Sequence, residues 1–184
     1  MDHSRTPEIE DMPTELMAEP LDWFFAEHYR HRQFCKLVND VALAHVFDGE
    51  RISLLVNFLR FDLPLHIIDE EQDLFPLLRR RALPEDDVEN VLGLLSAEHK
   101  ADAVQAAEVR RLLEDSLDRQ AAPGMDPAAR KALQAFASQE LRHLALENAV
   151  VLPIARLRLT PKDLGGMSRR LAARRGLVLE PAPA

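Results

Sequence analysis

His66-Ile67-Ile68-Asp69-Glu70 decides the reading, because the chain repeats its outline at His143-Leu144-Ala145-Leu146-Glu147. In each stretch a glutamate follows a histidine at i+4. Residues at that spacing share one face of an α-helix, a turn apart. Each pair therefore offers an imidazole nitrogen and a carboxylate to the same point beside its helix. The echo runs on, with Leu74 matched by Val151 and Pro76 by Pro153. One such pair alone is commonly a surface ion pair worth a few tenths of a kcal/mol. Two copies read as two halves of one metal site.

Working outward, the pattern is helical throughout. A first helix opens near Pro20, with Asp22 in its first turn, and runs to about Phe47. There Asp48-Gly49-Glu50 supplies a glycine suited to a C-cap. A second runs from about Arg51 to Arg80, with a kink or local unwinding expected at Pro64, just before His66, and a loosened last turn at Pro76. Pro84-Glu85-Asp86-Asp87 starts a third, which reaches about Arg119. Asp126-Pro127 starts a fourth, which reaches about Arg158. Thr160-Pro161 opens a short fifth helix ending near Gly176. The predicted fold class is all-α: an up-down-up-down four-helix bundle over residues 20–158 with a short extra C-terminal helix. Residues 1–19 read as a mobile arm or loose wrap with a short turn around Glu15 to Ala18. Residues 159–184 read as a short basic helix and a loose tail. Its Arg169, Arg170, Arg174 and Arg175 form either a solvated face or a surface that packs on the bundle or mediates an association such as a homodimer.

Composition narrows the function classes. The chain is 47% hydrophobic and 29% charged, enough apolar sequence to bury one core. Its net charge of −8 speaks against a nucleic-acid partner. Cys35 is the only cysteine, so thiolate-rich zinc and iron–sulfur sites are excluded, and Cys35 reads as a small buried hydrophobe. The acidic start has no signal-peptide pattern, and no apolar run is long enough to span a bilayer. A cytoplasmic location is expected, with no membrane partner.

Counting along antiparallel helices at about 1.5 Å per residue sets the candidates at one level. His28 on the first helix and His99 on the third join the two His/Glu pairs, so that His28, His66, Glu70, His99, His143 and Glu147 fall within roughly two turns. His31, one turn beyond His28, competes with it. Six buried ionisable groups in one layer would be costly uncompensated. A cation compensates them. Four imidazoles with two carboxylates suit borderline cations such as iron or zinc, and tolerate manganese. Each carboxylate can also bridge two ions.

Ala26-Glu27-His28-Tyr29-Arg30-His31-Arg32, His66-x-x-x-Glu70, Glu98-His99 and His143-x-x-x-Glu147, in that order, resemble the hemerythrin-like, or HHE cation-binding, domain over about Pro20 to Arg158. The resemblance implies a bundle around two non-haem iron ions, oxo- or hydroxo-bridged. It implies His28, His66, Glu70, His99, His143 and Glu147 as ligands, and so selects His28 over His31. His31, between Arg30 and Arg32, then reads as a surface or outer group. The oxygen carriers of that family have a fifth histidine four residues after the third-helix one, where this chain has Ala103. Asp102 is beside that place. The four-His, two-Glu set is more similar to the bacterial members that act in iron-centre repair under nitrosative stress.

Three functions share this frame. The first is a di-iron protein that handles oxygen, nitric oxide or peroxide, or iron itself, in sensing, storage or stress response. The second is a metal-stabilised helical module that controls a protein partner. The third is a di-iron oxidase or NO reductase, although the sequence carries no flavin or nicotinamide fingerprint.

Overall fold

The computed structural model describes residues 8–179. Among them there is no strand, and five helices follow in order. Helix α1 is Pro20–Leu43. Helix α2 covers residues 49–81 and is interrupted by two π turns, Phe58–Asp62 and Glu70–Leu74. Helix α3 is Val88–Arg119. Helix α4 covers residues 127–158 with one π turn, Glu147–Val151. Helix α5 is Pro161–Arg174. Helix α1 packs on α4 and on α2, and α3 packs between α2 and α4, closing the all-α bundle; α5 lies across α1. No described helix is long and apolar enough to cross a membrane.

The helix boundaries follow from local chemistry. The first helix stops at Leu43, four residues short of the expected Phe47. Gly49 is not its cap. Asp48 instead caps α2 by accepting from the Arg51 N–H, and Gly49 is the first residue of that helix. What meets the end of α1 is Gly124 in the loop before α4. A Cβ there would stand 2.4 Å from the Ala44 carbonyl oxygen and 2.6 Å from that of Ala42. Only glycine permits that approach. Helix α5 opens with a reciprocal box, in which Thr160 Oγ1 accepts from the Asp163 N–H while the Asp163 carboxylate accepts from the Thr160 N–H.

Each π turn ends two residues before a proline: Pro64, Pro76 and Pro153. A proline inside a helix lacks the N–H that would bond four residues back, and its ring crowds that carbonyl. Widening the preceding turn by one residue relieves the conflict. The Phe75 N–H thus donates to the Glu70 carbonyl and the Leu152 N–H to that of Glu147, each five residues back. The local unwinding expected at Pro64 takes this form; at Pro76 the widened turn instead precedes the proline, and the last turns, Phe75–Arg81, stay α-helical.

The core is in two parts with a polar layer between them. One part contains Phe34, Val38, Leu55, Phe58, Leu113, Leu133 and Phe136. The other contains Trp23, Phe24, Leu74, Phe75, Leu95, Leu152, Met167 and Leu171, so α5 contributes to it. Residues 8–19 wrap the bundle, with Ile9 and Met17 buried and a tight turn at Thr14–Ala18. Residues 1–7 of the expected arm, and 180–184 of the expected tail, lie outside the described residues.

Candidate metal centre

The layer between the two apolar parts holds His28, His66, Glu70, His99, His143 and Glu147, every one buried. They form two groups sharing the glutamates. One is His28, His66, Glu70 and Glu147; the other is Glu70, His99, His143 and Glu147. In each, the ligand atoms lie within 4.8 Å of one another. All four histidines aim Nε2 inward. His66 Nε2 is 3.4 Å and His28 Nε2 3.6 Å from Glu70 Oε1, while His99 Nε2 is 3.2 Å from Glu70 Oε2. His143 Nε2 is 3.1 Å from Glu147 Oε1, and His28 Nε2 is 3.4 Å from Glu147 Oε2. Each carboxylate therefore turns one oxygen to each half.

These inward atoms are orphans. The four Nε2 atoms and the four carboxylate oxygens of Glu70 and Glu147 are all buried and have no hydrogen-bond partner among the described residues. Each unsatisfied buried polar group costs about 1–3 kcal/mol. Donor atoms about 2.1 Å from one shared ion stand roughly 3 Å apart when adjacent, close to the separations seen. A cation in each half would satisfy the whole set.

The outward nitrogens are all partnered. His66 Nδ1 meets Glu27 Oε2 at 3.2 Å, His99 Nδ1 meets Glu71 Oε1 at 2.7 Å, and His143 Nδ1 meets Glu98 Oε2 at 2.8 Å. His28 Nδ1 meets Asn148 Oδ1 at 3.1 Å. Each acceptor assigns the proton to Nδ1 and leaves the Nε2 lone pair for an ion. The partners run in a closed cycle: α1 supports α2, α2 supports α3, α3 supports α4, and α4 supports α1. Sequence reasoning did not find these roles. The signal was adjacency, since Glu27, Glu71, Glu98 and Asn148 each stand next to one of the six in the chain, yet each serves a histidine on another helix.

Charge in the layer is strongly coupled. Burial pushes the Glu70 carboxyl up, but His66, His28 and His99 outweigh it and hold Glu70 well below the usual carboxylate range. Burial pushes the His66 and His143 imidazoles down, but Glu70 and Glu27 raise His66 to about 10, and Glu147 does the same for His143.

The other candidates fall outside both groups. His31 is not at the surface; it is buried with its ring centroid 4.4 Å from that of His66 and 4.9 Å from that of Phe58. Burial, with His66 and His28 beside it, holds its pKa well below the ordinary value. Asp102 is buried with Oδ1 unpartnered, and burial pushes its carboxyl up. Cys35 is buried and its thiol is pushed up by burial, which makes it inert. A pocket of about 350 Å³ opens beside His99, walled by Leu63, Ile67, Ala103 and Ala106.

A four-helix bundle whose facing helices turn histidine and glutamate into a shared buried layer is a cation-binding bundle by its chemistry. The family model for the hemerythrin HHE cation-binding domain matches residues 19–155, and the chain belongs to that family. No curated protein matches the chain.

Proposed function

We propose that the chain is a non-haem di-iron protein that handles a small ligand, with His28 and His66 on one ion, His99 and His143 on the other, and Glu70 and Glu147 bridging. The observation that carries this is the set of eight orphaned inward atoms, divided so that each carboxylate spans both halves. That division supports a count of two ions per chain. Iron is favoured over manganese or zinc by family membership, because the donor atoms accept all three. Iron, when bound, supplies the redox and Lewis-acid chemistry for oxygen, nitric oxide or peroxide.

The chain's own residues do the rest. Glu27, Glu71, Glu98 and Asn148 hold the four rings in one tautomer. The two apolar clusters keep bulk water from the layer. The pocket at His99 gives a mostly apolar approach, with Arg110 on its wall, suited to a small molecule, and Ala103 leaves room where the oxygen carriers have a further histidine. The experiment is anaerobic loading with ferrous iron followed by exposure to nitric oxide. New absorption bands that saturate in proportion to bound iron support the reading. Iron-loaded protein with an unchanged spectrum contradicts it.

A further inference from the structure

Helix α5 lies beyond the matched residues 19–155, yet it reaches the centre. Arg175, at its C-terminal end, donates to Glu27 Oε1 at 2.9 Å and to Asp69 Oδ2 at 2.7 Å. The other oxygen of Glu27 accepts from His66 Nδ1. The Arg175 guanidinium also lies over the Trp23 ring, 4.7 Å from its centroid, which fixes its plane. The path from α5 to an inward nitrogen is thus two hydrogen bonds long. Neighbouring Arg174 donates to Asp69 Oδ1 at 2.6 Å, and Arg170 pairs with Asp73. The basic helix is therefore docked by its arginines on the acids that flank Glu70.

The opposite half has no such support. Glu71 and Glu98, which hold His99 and His143, are 32% and 26% exposed, and no arginine or lysine pairs with them among the described residues. Glu27 is 6% exposed, and without Arg175 its Oε1 would lose its guanidinium partner, leaving this buried carboxylate only the His66 N–H on Oε2.

We propose that Arg175 is a positioning residue of the metal centre, holding Glu27 so that it fixes His66, and thereby setting the affinity of the His28/His66 position while leaving that of the His99/His143 position alone. This rests on the two-ion reading above. Outer partners of ligating histidines are worth roughly ten- to a hundredfold in metal affinity, and one position should carry that loss here.

The test is titration of the metal-free full chain with cobalt(II), following the visible ligand-field bands. Wild type should fill two positions, and His28→Ala marks which isotherm step and which bands belong to the His28/His66 position. Arg175→Ala should weaken that step by roughly ten- to a hundredfold and shift its bands, with the other step unchanged. Glu27→Gln should reproduce the loss, and it serves alone should Arg175→Ala fail to fold. Arg170→Ala, which loosens the same helix without touching Glu27, should leave both steps as in wild type. Equal weakening of both steps, no weakening, or the same loss from Arg170→Ala overturns the proposal while the two-ion reading stands. A wild-type chain that fills neither position overturns both.

Discussion

Glu98 Oε2 accepts from His143 Nδ1 at 2.8 Å, although Glu98 precedes a different member of the layer, His99, on its own helix. The contact ties α3 to α4 at the level of the centre. It makes the His143 ring a better donor by placing negative charge behind it. Glu98→Ala is expected to keep the fold, because Glu98 is partly exposed, and to lower metal affinity roughly tenfold or more. Equilibrium dialysis against a competing chelator measures this.

Protons and cations compete for the same atoms. The folded-state pKa of His66 and of His143 is raised to about 10, above the ordinary 6.5. In the metal-free protein this contributes stability that is present in full below about pH 6.5 and is lost as pH rises towards 10. Metal binding must expel those protons. Calorimetric metal titration at pH 8 in buffers of different ionisation enthalpy is expected to report net proton release on binding, because Glu70 and Glu147 outweigh burial and raise His66, His99 and His143. Metal affinity should rise between pH 6 and 9.

The pocket beside His99 is the expected route of a small ligand. Ala103 is on its wall and exposed, so a larger side chain there costs the fold little. Ala103→Trp is expected to leave iron content unchanged and to slow nitric oxide association several-fold, as read by stopped-flow absorption. An unchanged rate would place the route elsewhere.

Gly124 tests the architecture apart from the centre. A methyl group there meets the backbone carbonyls of Ala42 and Ala44, which cannot swing aside as a side chain would. Gly124→Ala is expected to destabilise by about 1–3 kcal/mol, seen as a lower urea midpoint, with metal stoichiometry retained.

Much of this was legible in the chain. The spacing of His66 to Glu70 and of His143 to Glu147 announced two donors per helix face, and level counting brought His28 and His99 to the same height. Start signals at Asp126-Pro127 and Thr160-Pro161 matched the observed caps because capping is local chemistry. The end of α1 was not legible, since Gly124, distant in sequence, meets it. Nor were the π turns, although the prolines held the clue: each proline disturbs the ladder behind it, and the disturbed turn begins six residues earlier, at Glu70 and Glu147 in two cases and at Phe58 in the third. The cycle of outer partners was hidden for another reason. Glu27, Glu71 and Glu98 look like solvated charges beside interesting neighbours, and only the packing of adjacent helices shows which ring each one faces. Arg170, Arg174 and Arg175 of the basic helix likewise read more readily as a solvated face, yet Asp73, Asp69 and Glu27 lie beneath them.

The most direct measurement is metal counting on the chain loaded with ferrous iron without oxygen and then desalted, wild type beside Glu147→Ala. The account expects about two irons per wild-type chain, as a bridged pair in a bundle requires, and a marked loss when the shared carboxylate is removed. A wild-type chain that retains no iron, or a Glu147→Ala variant that retains as much as wild type, would contradict it.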